Sequence, residues 1–141
     1  MEPQVSELTA NEVGWLDQLL GGLRAAGVNP VDVTALGEYC DREYAAHAAN
    51  SPAGNADPNL TINRVGAGFG EHLRSRLPFR WVVVTDQWGT DLAITLQPGN
   101  VILTPMTMIG KRWSEGTTGF LPSLAEGVVA KVSEVIAEHN R

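Results

Sequence analysis

The sequence has little cysteine, few basic residues and no long apolar run. Cys40 is the only cysteine among 141 residues, which excludes an internal disulfide and a zinc site built from four thiolates. Only 10 Lys and Arg residues stand against 16 Asp and Glu residues, so the formal net charge is −6. Nucleic acids and anionic membrane surfaces both bind basic surfaces. We therefore expect no nucleic-acid partner and no membrane partner.

Signals that direct a chain to another compartment are also missing. The start, Met1-Glu2-Pro3-Gln4, has neither the basic region nor the apolar run of a secretory signal. No stretch approaches the ~18 consecutive apolar residues of a membrane span. The sequence therefore predicts a cytoplasmic protein. Its length predicts one domain with a core of its own.

The stretch from Trp81 to Thr104 contains the predicted sheet. Three short runs favour strands because they are β-branched or alternate between apolar and polar residues: Val82–Thr85, Leu92–Gln97 and Val101–Thr104. Gly89 lies in the first turn and Pro98-Gly99-Asn100 forms the second, and turns this short join antiparallel strands. Pro105 is expected to end the third strand or confine it to an edge, with Met106–Ile109 extending alongside. The prediction is a three-stranded antiparallel meander over about residues 81–109.

Helices are predicted on both sides of the meander, from apolar residues spaced three and four apart. Thr9 and Glu12 have the spacing of a capping box at the start of the first helix. Asn29-Pro30 and Asp57-Pro58 are typical starts of a second and a third helix, and Gly110–Gly119 is read as a link and a loop. The prediction is a single α+β domain over residues 1–141 in the order α-α-α-β-β-β-α. Its helices cover about residues 9–77 before the sheet and about 120–139 after it.

Glycines interrupt two of the predicted helices. Gly21-Gly22 is explained either by close packing or by fraying of the first helix. In the third helix, residues 65–70 read V-G-A-G-F-G, which does not match the phosphate-binding pattern G-x-G-x-x-G. A phosphate loop would also have to follow a strand, and this run lies inside a helical pattern. Gly66 and Gly70 are therefore interpreted as positions where the helix approaches the sheet closely.

The residues that could act as a nucleophile are not arranged for catalysis. Cys40 and His47 lie two turns apart on the second helix, about 10.5 Å along its axis, which is too far for a thiolate–imidazole pair. Cys40 is therefore predicted to be a small buried core residue. The motifs G-x-S-x-G and H-E-x-x-H are absent. We predict no catalytic residue.

One pair has the spacing of metal ligands. Glu43 and His47 are four residues apart, so both could bind a metal from one helix turn. His72 with Glu71, or Asp86 with Asp91, could supply further ligands. Pairs of this kind are common on solvated helix faces, however, and the two aspartates are typical turn residues. We therefore predict no metal site and no other cofactor.

Trp88 is the residue that folding explains least. It lies at the tip of the first hairpin, where its indole is either tucked back onto the domain or exposed as an anchor for a partner.

A second candidate site is a cluster of polar residues. Asn63 is a poor helix former in mid-helix, and Lys111-Arg112 is the only basic cluster in the second half. We predict that both lie at one sheet edge with Arg80, and with Trp81 or Trp113 beside them.

The order of these residues resembles a known family. The resemblance rests on positions between about Leu60 and Leu124, namely Asn63, Gly66, Gly70, Arg80-Trp81, Gly89, Pro105, Lys111-Arg112 and Glu115-Gly116. The chain is similar to the bacterial domain-of-unknown-function family numbered 3806. It departs from the family pattern by extra glycines and by Trp88. The resemblance implies a fold and a bacterial context, and it implies no reaction.

Two classes of function follow from the sequence. The first is a non-catalytic interaction or accessory module that binds a protein partner or a second copy of itself. The absence of a catalytic constellation and the presence of Trp88 favour it. The second is a small ligand-binding domain or enzyme that uses the polar cluster. A deep pocket lined by Arg80, Lys111 or Arg112 would favour the second, and an apolar patch around Trp88 would favour the first.

Overall fold

A computed structural model of the protein describes residues 4–50 and 57–140, so the ends of the predicted 1–141 domain lie outside the described residues. The described part is a single α+β domain. Its elements in chain order are β1 (Gln4–Ser6), α1 (Ala10–Ala25), α2 (Val33–Asn50), α3 (Asn59–Arg76), β2 (Arg80–Asp86), β3 (Gly89–Leu96), β4 (Val101–Leu103), α4 (Pro105–Ser114) and α5 (Leu121–His139). The predicted α+β class is confirmed. The predicted element order is wrong at two places, β1 and α4.

The sheet has four antiparallel strands in the order β1-β2-β3-β4, not three. β2, β3 and β4 form the predicted meander, with Trp81 opposite Ile94 and Thr95 opposite Ile102. β1 adds to the other edge of β2, where Val5 lies opposite Val84. A three-residue strand with one apolar side chain has no periodicity to read, so only its pairing with β2 defines it.

α4 replaces the strand extension and the link that were predicted after Pro105. The sheet therefore ends at Leu103 rather than near residue 109. Proline has no amide hydrogen to donate and a φ already suited to a helix, so it ends a strand and begins a helix equally well. Pro105 is at the first position of α4, and the buried residues Ile109 and Trp113 follow at four-residue spacing. Both observations place one apolar face of α4 against the core.

The helix starts follow side-chain hydrogen bonds to free backbone amides. The capping box of α1 is confirmed, because the Thr9 amide donates to Glu12 Oε1 (2.8 Å) and the Glu12 amide donates to Thr9 Oγ1 (3.5 Å). α2 begins three residues later than Pro30, since Asp32 rather than Asn29 accepts from the amides of its first turn. α3 begins at Asn59, whose amide donates to Asp57 (2.9 Å).

α3 is the central helix of the domain. It packs against α1, α2, α4 and α5, and Val65, Phe69 and Leu73 on it are fully buried. Its glycines allow close approach along one face, where Gly66 and Gly70 lie about one turn apart. A Cβ at Gly70 would lie 2.3 Å from the Trp81 ring, and one at Gly66 would lie 2.6 Å from the Met106 Cα. Gly70 thus packs against the sheet as predicted, whereas Gly66 packs against the first turn of α4.

Candidate functional site

The structure separates the residues of the predicted polar cluster. Asn63 and Lys111 both line a groove between α3 and α4. Arg80 lines a different cavity of about 330 Å³, together with Val5, Thr95 and Ile102. In strand geometry, neighbouring residues point to opposite faces, and Trp81 packs on α3. Arg80 therefore lies on the sheet face that is turned away from α3, and only two of the four predicted cluster residues meet.

The α3–α4 groove is the larger of these two sites, with a volume of about 570 Å³. Both polar and apolar residues line it. The lining residues are Asn59, Ile62, Asn63, Asp91, Met106, Thr107, Gly110, Lys111 and Ser114. Asp91, which the sequence pattern had suggested as a turn residue, lies inside β3 and lines this groove. Most of these lining residues were not predicted as a site, because the pattern after Pro105 indicated a strand extension and a link rather than a helix.

Trp88 is exposed rather than tucked back onto the domain. It retains 86% of its accessible surface, which is more than any other large apolar side chain in the described part of the chain. The hairpin tip, Asp86–Gly89, is a two-residue loop between paired ends. Its backbone is held by a hydrogen bond from the Trp88 amide to Asp86 Oδ1 (2.8 Å) and by the positive φ of Gly89 (134°). The indole therefore projects from an ordered turn.

The hairpin lies close to the first turn of α3. Asp91, near the hairpin end of β3, lines the same groove as Asn59, the first residue of α3. Leu60 on this turn is 55% exposed. Trp88, Leu60 and the α3–α4 groove therefore lie at one end of the molecule.

The other two candidate tryptophans, Trp81 and Trp113, have interaction partners within the domain. The Trp81 indole N–H donates to Glu71 Oε2 (2.8 Å), and the same carboxylate oxygen pairs with Arg74 (2.6 Å). Trp113 is buried, and its ring makes edge contacts with Tyr44 (centroids 5.0 Å apart) and His47 (5.8 Å). Neither indole lines the α3–α4 groove.

Arg112 is also directed away from the groove. Its guanidinium donates to the Met108 carbonyl one turn earlier in α4 (3.2 Å). Cations near the end of a helix interact favourably with the carbonyls of its last turn. We assign Arg112 to stabilisation of α4, and Lys111 alone contributes a charge from this pair to the groove.

The chemically reactive side chains have structural roles. Cys40 is buried, as predicted, and burial together with the neighbouring Asp41 charge raises the pKa of its thiol to about 12. His72 is buried, with Nδ1 at 2.8 Å from the Val31 carbonyl oxygen, which makes that nitrogen the donor. His47 contacts Trp113. Within residues 4–50 and 57–140, no three His, Cys, Asp or Glu side chains are grouped so that they could hold a metal.

These features define a small α+β domain with an exposed tryptophan at its hairpin tip and a groove between α3 and α4. A comparison with protein families matches residues 41–121, more than half of the chain, to the family described as Domain of unknown function (DUF3806). The chain belongs to this family, so the resemblance predicted from sequence is confirmed. The match begins in α2, earlier than expected, and ends at the start of α5. No curated protein and no solved structure matches the chain.

Proposed function

We propose that the protein is a non-catalytic interaction module that binds a protein partner, or a second copy of itself, through the hairpin tip. The exposure of Trp88 supports this most directly. Tryptophan is enriched among the few residues that dominate binding energy in interfaces, and a preordered loop loses little conformational entropy on binding. The adjacent Leu60 and the α3–α4 groove extend the same surface.

The roles of the reactive side chains also favour a non-catalytic protein. A thiol with a pKa of about 12 is protonated at neutral pH, and the thiolate is the nucleophilic form. The Glu71 carboxylate is already shared by Trp81 and Arg74. None of these groups faces the hairpin tip.

A paired measurement on Trp88→Ala tests the proposal. Folding does not use the indole, so the free energy of unfolding should change by less than about 1 kcal/mol. Partner binding or self-association should weaken by about 30-fold or more, which corresponds to the 2 kcal/mol typical of an interface hot spot. Sedimentation measures self-association, and quantitative capture by the tagged protein measures recovery of a partner from its own lysate.

Trp15→Ala is the matched control. Trp15 lies on α1 and is 40% exposed, so this variant also removes a surface indole, but from a helix rather than from the hairpin. It should leave both association readouts unchanged. If Trp88→Ala loses several kcal/mol of stability while association persists, or if both tryptophan variants lose association equally, the hairpin tip is not the binding site.

A second candidate function is the binding of a small polar ligand in the α3–α4 groove. Its volume of about 570 Å³ falls in the range of ligand sites, and Asn63 and Lys111 are polar residues that line it. A ligand held there should lose affinity in Lys111→Ala and in Asn63→Ala. Arg80→Ala, on the other sheet face, is the control that should bind as the wild type does.

The sequence-based expectations about cellular context belong to the same proposal. No helix among the described residues is long and apolar enough to cross a membrane. A cytoplasmic location, a bacterial source and the lack of a nucleic-acid partner remain predictions, and the net charge of −6 supports the last of them.

A further inference from the structure

A groove between α5 and β4 differs from the other cavities in its chemistry. Its volume is about 460 Å³, and its wall is almost entirely aliphatic. The lining residues are Leu103, Ser123, Leu124, Gly127, Val128, Lys131 and Val132. Ligand sites are typically clefts of about 300–1,000 Å³ with apolar walls and a few placed polar groups. The α5–β4 groove has this composition.

Helix periodicity gives the groove its shape. Leu124, Val128 and Val132 follow one another at four-residue spacing and form a stripe about 12 Å long on α5, with Leu103 of β4 opposite. Gly127 widens the space, because a Cβ built there would meet no atom within 4 Å. An extended alkyl chain fits an apolar groove of this length and width.

The polar groups lie toward the two ends of the stripe. Ser123 precedes Leu124, and Lys131 lies beside Val132, about 12 Å farther along the helix axis. Lys131 is the one charged side chain among the described residues that line the groove, and those residues offer it no salt bridge. An anionic group at that end of the groove would therefore form an ion pair with the Lys131 ammonium.

We propose that the α5–β4 groove binds an aliphatic monocarboxylate, with its alkyl chain along Leu124, Val128 and Val132 and its carboxylate at the Lys131 ammonium. This site is distinct from the hairpin tip. Each methylene that enters the groove is expected to raise affinity by about fourfold, the factor equivalent to the transfer of one CH₂ group out of water.

The test compares three ligands of equal chain length with different head groups. Decanoate and decyltrimethylammonium, below their micelle concentrations, and decanol, below its solubility limit, are titrated into the full chain, with backbone NMR signals as the readout. Shifts should centre on the groove residues Leu103, Gly127 and Val128. Decanoate should bind about two- to fivefold more tightly than decanol, as expected for an exposed ion pair, and the cation should bind most weakly.

Two exposed positions allow variants that keep the fold. Lys131→Glu should abolish or reverse the preference for decanoate, whereas Lys111→Glu, the same change in the α3–α4 groove, should not. Gly127→Leu places a side chain in open space and replaces glycine in a helix, so it should raise the melting temperature. It should also block the groove and lose decanoate binding.

Three results would overturn the proposal. The first is equal affinity for the three head groups. The second is unchanged decanoate binding in Gly127→Leu, and the third is a set of NMR shifts that lie away from α5 and β4. Because none of these ligands involves Trp88, a failure here leaves the hairpin-tip proposal standing, and the reverse also holds.

Discussion

The four tryptophans show how residues of one type take different roles. Trp81 and Trp113 have specific partners, a carboxylate in one case and two aromatic rings in the other. Trp15 is 40% exposed on α1, and Trp88 is 86% exposed at the hairpin tip. An indole that contributes so little to its own fold is the residue most available to a partner. This contrast is why we propose the hairpin tip, rather than the predicted polar cluster, as the binding surface.

Cys40 allows a test of burial at the residue scale. Cys40→Ala should lower the free energy of unfolding by about 1 kcal/mol, as modest truncations of buried side chains do. A thiol reagent should label the native wild type only at the rate at which the domain opens. Rapid labelling of the folded protein would contradict the buried position.

The same thiol predicts a dependence of stability on pH. Burial raises its pKa from 9.0 to about 12, so between these pH values the unfolded state releases the proton while the folded state keeps it. The unfolded state then binds fewer protons, and stability must fall as pH rises through this window. The wild type should lose up to about 1.4 kcal/mol per pH unit more than Cys40→Ala does. Parallel pH profiles for the two proteins would refute this assignment.

At the scale of elements, α3 organises the domain because its glycines admit close neighbours. Gly70 holds the Trp81 ring and Gly66 the backbone of Met106. On α1, Gly22 leaves room for the Arg64 guanidinium, since a Cβ there would lie 2.4 Å from Arg64 Nε. That contact accounts for Gly22 by close packing, one of the two alternatives that the sequence left open.

Two glycine variants distinguish packing from helix propensity. Gly70→Ala should destabilise the domain by about 1–3 kcal/mol, because an added methyl group overlaps a ring that cannot move far. Gly21→Ala is the matched control. A Cβ there meets nothing within 4 Å, so it should stabilise α1 by about 0.5–1 kcal/mol. Denaturant midpoints measure both, and a stabilised Gly70→Ala would disprove close packing of α3 on the sheet.

At the scale of the molecule, one apolar core joins helices and sheet. Each of the helices α1 to α5, and the strand β3, contributes at least one buried residue to it. Examples are Leu16, Leu36, Phe69, Ile94, Ile109 and Leu121. An element that leaves such a core exposes the apolar surface of its neighbours. The elements should therefore unfold together.

We accordingly predict a single cooperative unfolding transition. Far-ultraviolet circular dichroism and tryptophan fluorescence should give coincident curves, as two-state behaviour requires. A chelator and a reductant should each leave the melting temperature unchanged. Separate transitions would show that parts of the domain unfold independently. A drop of several degrees in the melting temperature with the chelator would indicate a metal site at Glu43 and His47.

Local signals in the sequence determined much of this fold. The capping box at Thr9, the strands around Gly89 and the apolar face of α5 were all predicted correctly, because each depends on residues that are close together in the chain. The buried position of Cys40 followed from the same periodicity. These features need no distant partner to be recognised.

The tertiary structure decided the rest. β1 exists through its pairing with β2 (Val5 opposite Val84), and α4 depends on how Pro105 and Ile109 pack against α3. Because α4 was missed, Asn63 and Lys111 were expected to lie with Arg80, which strand alternation places on the other face. Whether Trp88 packs or projects also depends on what surrounds the hairpin. Such outcomes are set by contacts between residues far apart in the chain, which no local pattern records.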